Sequence, residues 1–428
     1  MSYYAWSGHE QHTNTTQTAR AISILYALTG SFDARGGNVI FPSVPSNAIT
    51  GEDLATARQL PAALGLAERP LGPARWNFIT GRELYDAILH HQPYPVRGLF
   101  GFGANLLLAH ADVALGREAL AALEFYAHAD LFMNPTAEMA DIVLPVASPF
   151  ECEALKIGFD ISVEAQSLVQ LRQPIVPPRG QSRSDTQIVF ELACQLGLGD
   201  CFWHGDIGAA YQHQLAPSGV KVKELRAAPG GVRVPLKARY AKHASVDANG
   251  IPKGFSTPSR KVEIYSQVFL EHGYAPLPEF QEPLVSPRAR PDLAARFPLI
   301  LTSAKHTLFC ESQHRGLPSL RKHALHPEVE LHPETAKARK IAAGDWVAVE
   351  TPQGSVRARA RFNESLDTRV VCGQHGWWQA CKELSVPGYD PFGPDGSNLN
   401  LVISGDARDP ISGTVPHRAY LCEIRPVR

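Results

Sequence analysis

The sequence predicts a doubly wound, dinucleotide-binding-like α/β region followed by an all-β barrel. Three observations predict it. Two apolar stretches, VRGLFGFGAN at 96–105 and EFYAHADLFMNPTAEMADIVLPVA at 124–147, flank a segment with helical periodicity. That order is strand, tight turn, helix, strand: a βαβ unit over 84–147, whose ligand crevice lies at the carboxyl ends of its strands. A proline-rich stretch at 275–297 then separates a last region. There Val356, Ala358, Ala360 and Phe362 alternate with Arg357, Arg359 and Arg361, the period of a half-buried strand. Short strands and tight turns around it point to a small barrel.

Along the chain, residues 15–28 read as a helix with Ala21, Ile24, Leu25 and Leu28 as its apolar stripe and Gly30 just past its end. Residues 40–80 hold many prolines and few periodic runs, so they read as a long loop fit to line a channel. The segment 106–123 fits one helix capped by Asp112, with Val113, Leu120 and Leu123 near one face. Ser184 or Asp185 caps a helix carrying Ile188, Leu192 and Leu196 and ended by Gly197. Residues 200–253 give weak periodicity and no clear element. In the last region 297–302 is a short apolar run and 334–340 looks helical. Residues 346–351 and 368–373 read as strands, and Gln353-Gly354 as a hairpin turn. The three arginines read most simply as a solvated strand face.

A length of 428 residues suits two or three domains, and 44% hydrophobic with 19% charged residues permits a sizeable core. A net charge of −1 gives no footprint for nucleic acid or an anionic membrane. No apolar run approaches the roughly 20 residues of a membrane span, and the first residues lack a signal-peptide pattern. Seven scattered cysteines suit a reducing, cytoplasmic setting, with Cys194 the clearest buried one. No two have Cys-x-x-Cys spacing, so neither an iron–sulfur cluster nor a zinc ribbon is indicated. His323, His326 and His332 match no common zinc spacing either.

Gly103, Ala104 and Asn105 end the first strand of the βαβ unit, where small residues let the backbone approach a phosphate. Asp130 ends the second, where a carboxylate accepts hydrogen bonds from a sugar or a base. An ordinary turn and an ordinary helix cap fit the same residues.

The surrounding wording narrows the choice. Asp130, Phe132, Thr136, Ala137, Ala140, Asp141, Val143, Leu144 and Pro145 fit a phrase of the molybdopterin-dinucleotide enzymes of the dimethyl sulfoxide reductase family, with Asn134 in place of a threonine. Four more stretches resemble that family in its own order. They are residues 11–39; residues 255–278; Gly373-Gln-His-Gly-Trp-Trp378 with residues 380–384; and Asn398-Leu-Asn400 with Asp409-Pro-Ile-Ser-Gly413 and Arg418. The resemblance implies a chain equivalent to the C-terminal part of such an enzyme. The iron–sulfur and metal-ligand region of the family precedes the part matched here. It also implies three regions: 1–40, a helix and Gly-rich turn belonging with an upstream domain; 41–290, the α/β domain; and 296–428, a double-psi barrel that binds the dinucleotide.

The implied cofactor is a molybdopterin guanine dinucleotide carrying molybdenum or tungsten, with no iron–sulfur cluster on this chain. The implied partners are that cofactor and an upstream half or electron-transfer subunit. The βαβ unit would supply Gly103, Ala104, Asn105, Asp130 and Thr136. The barrel would supply Thr302, Lys305, His306, Gln374, His375, Trp377, Asn398 and Arg418. Lys305 stands where the family often has arginine, which exchanges a bidentate fork for a point charge. For His375 a pterin-facing donor and a core imidazole fit equally, whereas Trp378 reads as core. No catalytic or metal-ligating residue is assigned. Residues 41–47 lack the arginine of formate-oxidising members. Three readings stand: part of an oxidoreductase, a non-redox lyase of the acetylene-hydratase kind, and a non-catalytic cofactor-binding module.

Overall fold

The structure, a computed structural model, describes residues 2–51, 54–57 and 59–427. Three parallel strands, β1 (Gly98–Phe102), β2 (Phe125–Asp130) and β3 (Ile142–Pro145), lie side by side in that order. Parallel pairing brings all three carboxyl ends to one edge, so Gly103 and Asp130 share it.

The segment expected as one helix is two, Leu106–Ala109 and Val113–Ala121, broken at Asp112 with φ of 56°. The Asp112 carboxylate makes no cap. It accepts from the Gly405 N–H at 2.9 Å and from Arg82 at 3.3 Å, so a tertiary contact overrides local helix propensity. Val113 and Leu120 do face the core, with Tyr126 and Leu107.

The helix Thr15–Leu28 forms where expected, and Gly30 follows it with φ of 61°. Its apolar stripe does not reach the core: Ala21 is exposed, and Leu25 and Leu28 are 50% and 70% exposed. The helix docks by its polar side instead. Thr16 donates to Asp409 from its N–H at 3.1 Å and its hydroxyl at 2.8 Å, and Gln17 donates to the Ala275 carbonyl at 2.9 Å. Ser184 caps the helix Asp185–Gln195 by accepting from the Gln187 N–H. Ile188 is buried there, but Leu192 and Leu196 point outward.

A second sheet, antiparallel, joins β4 (Ala154–Ile157), β5 (Leu168–Arg172) and β6 (Val232–Arg233). The helices Ile207–Leu215 and Val222–Ala227, in the stretch left unread above, cover it through Leu215 and Leu225 against Val169 and Leu171.

The last region closes into a six-stranded barrel. Its strands are β7 (Leu299–Ser303), β8 (Glu328–Leu331), β9 (Trp346–Thr351), β10 (Gly354–Phe362), β11 (Val370–Gly373) and β12 (Tyr420–Pro426). They pair in the ring order β10, β8, β11, β7, β12, β9. The β9–β10 hairpin turns at Gln353-Gly354, and Val356, Ala358 and Ala360 alternate inward as the period requires. Phe362, at the strand end, is left half-exposed. Of the cysteines, Cys372, Cys381 and Cys422 are buried, whereas Cys194 is only partly so because it flanks the loop to Gly205.

Two asparagines couple the barrel to the βαβ unit. Asn398 donates to the Leu107 carbonyl at 2.8 Å and Asn400 to that of Leu108 at 2.6 Å. Those carbonyls belong to a helix end and have no partner within the helix. No described helix is long and apolar enough to cross a membrane. The accessible surface is 23895 Å², about half as much again as the roughly 16,000 Å² expected of a compact 46.7 kDa monomer.

Candidate cofactor-binding site

At the strand edge, Gly103 adopts φ of 56°, a conformation glycine takes without penalty, and its N–H donates to the Ala129 carbonyl at 2.8 Å. The turn then delivers Asn105 to the crevice. Thr136 is fully buried: its hydroxyl donates to Asn105 Oδ1 at 3.2 Å and accepts from the Leu107 N–H at 3.0 Å. Asn134 is buried too. Its Oδ1 accepts from the N–H groups of Thr136 and Ala137, and its Nδ2 donates to Asp130 at 2.8 Å. The asparagine that departs from the family phrase thus ties the crevice loop to its carboxylate.

Asp130 also accepts from the Phe132 N–H at 3.1 Å and faces His128 Nε2 at 3.3 Å. Burial works against its charge. Hydrogen bonds from His128 and backbone N–H groups outweigh that, and its carboxyl lies below the ordinary range. His128 is wholly buried, with Nδ1 2.7 Å from the Tyr126 hydroxyl.

On the barrel side, Lys305, His306 and Gln374 line one cavity of about 250 Å³ with Arg361 and Glu330. Glu311 joins Lys305 to His375, which it meets at 2.9 Å through Nε2. Burial opposes the Glu311 charge, but bonds from Lys305 and His375 hold its carboxyl below the ordinary range. Burial lowers the His375 pKa more than Glu311 raises it, so the imidazole is neutral near pH 7 with Nε2 donating. Glu311 and His314 both have positive φ, at 48° and 71°. Such backbone costs about 1–2 kcal/mol per residue and persists only where the surroundings enforce it.

The two halves meet at this loop. Asn105 Nδ2 donates to Ser312 Oγ at 3.1 Å, and Trp378 donates to the Ser312 carbonyl at 2.8 Å. Crevice turn and barrel loop therefore form one continuous surface.

Three expected residues face inward instead. Asn398 is wholly buried and spends its amide on Leu107 and Pro391. Trp377, not Trp378, is the core indole, bonded to Gln374 and flanked by the buried guanidinium groups of Arg315 and Arg321 at 5.0 and 4.9 Å. Arg418 reaches the Ser303 carbonyl and Gln11, joining barrel to N-terminal segment. Thr302 lies within β7 opposite Cys372. His326 meets Tyr389, and His332 caps the helix Pro333–Ala338, so they serve separate local roles. Among the described residues no group of three or more His, Cys, Asp or Glu side chains is placed to hold a metal ion.

Glu311, Arg315 and His128 escaped the sequence reading. Glu311 and His375 are 64 positions apart, so nothing local marks them. His128 does carry a signal: Tyr126, His128 and Asp130 recur at period two.

A second cavity, of about 320 Å³, lies between the crevice helices and the closing motif. Both ring nitrogens of His417, Thr80 Oγ1 and an Arg408 nitrogen line it, buried and without a protein hydrogen-bond partner. Buried polar groups without partners are rare, and this set suits a polar guest.

Residues 1–195 match the family model described as Molybdopterin oxidoreductase, and residues 299–420 match the Molydopterin dinucleotide binding domain. The chain belongs to the molybdopterin oxidoreductases of the dimethyl sulfoxide reductase family. Within that family it is similar to an acetylene hydratase of Syntrophotalea acetylenica, 28% identical over 79% of this chain and 46% of the relative. It is also similar to a dopamine dehydroxylase of Eggerthella lenta, 26% identical over 97% and 47%. The solved acetylene hydratase of Pelobacter acetylenicus shares the fold with a TM-score of 0.83, at 24% identity over 98% of this chain and 60% of that one. The chain thus spans about half the length of the curated relatives it matches.

Proposed function

We propose that this chain grips a molybdopterin guanine dinucleotide between the crevice at Asp130 and the barrel loops, as the cofactor-binding part of a molybdenum or tungsten oxidoreductase. The observation that carries the reading is the Asn105–Ser312 contact, which makes one surface of the crevice turn and the Lys305–Glu311–His375 loop. Asp130 is ionised and meets the donor edge of guanine. The turn at Gly103 and Ala104 receives a phosphate through backbone N–H groups, and Lys305 adds a positive charge. His375 offers a neutral imidazole whose Nδ1 is an acceptor. The polar cavity beneath His417 takes part of the ring system. When bound, the metal–pterin group supplies the oxygen-atom or electron chemistry.

In this reading the barrel is of the double-psi kind, the α/β part is doubly wound, and the regions divide at 1–40, 41–290 and 296–428. The location is cytoplasmic. An upstream half covers the apolar N-terminal face, where a cavity of about 1110 Å³ is lined by Tyr3, Tyr4, Tyr26, Phe32, Ile40 and Phe255. The excess of accessible surface supports that cover. The same cavity is the candidate substrate channel. A second reading, a non-redox lyase, is supported by the similarity to acetylene hydratase over most of the chain. A third reading is a non-catalytic cofactor-binding module.

Calorimetric titration of the purified chain with GDP tests the grip. We expect binding that Asp130→Ala abolishes. Equal GDP binding by wild type and variant, or none by wild type, overturns the reading.

A further inference from the structure

If Asp130 meets a nucleobase, the buried groups behind it still lack a task. Tyr126, His128 and Asp130 stand at alternate positions of β2 and so share one face of the sheet. Tyr126 and His128 are 1% and 0% exposed, while the Asp130 side chain keeps 14% at the open end. The hydroxyl, the imidazole and the carboxylate form an unbroken chain, 2.7 Å from Tyr126 Oη to His128 Nδ1 and 3.3 Å from Nε2 to Asp130.

Only one proton arrangement satisfies the neutral chain. An ionised carboxylate can only accept, so Nε2 carries the hydrogen. A neutral ring then accepts at Nδ1, and the Tyr126 O–H donates to it. The strand opposite is shaped for this. Gly101 is the register partner of His128 in β1. A Cβ there would lie 2.6 Å from His128 Nδ1 and 3.2 Å from the Tyr126 hydroxyl. The ring is rigid and buried, so any side chain at 101 would displace it.

We propose that Tyr126 and His128 are positioning residues, a buried hydrogen-bond relay that holds the Asp130 carboxylate in the orientation that selects a guanine over an adenine base. The inference rests on the reading of Asp130 given above. His128 and Asn134 both hold Oδ2 and the Phe132 N–H holds Oδ1, so the carboxylate cannot rotate away from its ligand. Adenine, whose matching edge offers an acceptor where guanine offers a donor, gains nothing from that orientation.

The test uses the full chain with GDP and ADP as probes. Tyr126→Phe keeps the ring and deletes one hydroxyl. We expect it to weaken GDP three- to tenfold while ADP affinity holds; the melting temperature falls because the buried His128 Nδ1 loses its donor, so the GDP-to-ADP ratio carries the test. Gly101→Ala, which displaces the ring, has the same expected nucleotide signature with a larger drop in melting temperature, and His128→Gln, which retains an N–H toward Asp130, restores preference relative to His128→Leu. Nitrogen-15 spectra of the imidazole give a readout independent of nucleotide: His128 is the Nε2–H tautomer in wild type. An Nδ1–H tautomer overturns the relay. So does unchanged GDP preference in Tyr126→Phe when Asp130→Ala has lost it. Full GDP binding by Asp130→Ala instead overturns the reading beneath, and the relay with it.

Discussion

At the residue scale, the joint between barrel and crevice is sensitive to acid. Burial pulls the His417 pKa down to about 4, and the Val415 carbonyl beside the ring does not offset it. An unfolded histidine titrates near 6.5. Between those values the unfolded chain binds more protons than the folded one, so stability is fully present above about pH 6.5 and declines as pH falls toward 4. We expect the melting temperature to drop across this window, and less steeply for His417→Asn; equal slopes would count against this origin. The legibility of the site follows the range of its contacts. Asn105, Asp130 and Thr136 stand in one stretch of the chain and could be read from it. Glu311 could not, because its place between Lys305 and His375 needs the barrel already closed. His128 needs Gly101 opposite it, and register is invisible before the strands pair.

At the element scale, strands with one buried face were the most readable parts, because alternation in β10 and the turn at Gln353-Gly354 encode them locally. The break at Asp112 was not readable: its carboxylate serves a backbone N–H 293 positions away. Likewise the N-terminal helix is legible but its facing is not, since periodicity shows a stripe and not what covers it. The short helix Leu106–Ala109 depends on Asn398 and Asn400 for its carbonyls. Replacing both asparagines with alanine leaves two buried acceptors unpaired, at roughly 1–3 kcal/mol each. We expect a lower melting temperature and faster amide hydrogen exchange across residues 106–116, with the barrel strands unchanged. Uniform protection in that segment would refute the coupling.

At the scale of the whole molecule, the chain carries more surface than its mass warrants, and part of that surface is apolar. Tyr4, Leu28 and Ile40 are each about 70% exposed. Converting Leu25 and Leu28 to lysine should lower binding of a hydrophobic dye and self-association of the isolated chain while its circular dichroism holds. No change in dye binding would argue that this stripe is not the exposed face. The bonds from Thr16 to Asp409 add a matter of timing, since they join points 393 residues apart. At about 5–20 residues per second, a ribosome needs roughly 20–80 s to deliver the second point after the first. Until Asp409 arrives the helix has only the Ala275 part of its dock, and its leucines are as exposed as they are in the folded chain. Nascent copies are therefore natural clients for chaperones that shield emerging apolar segments.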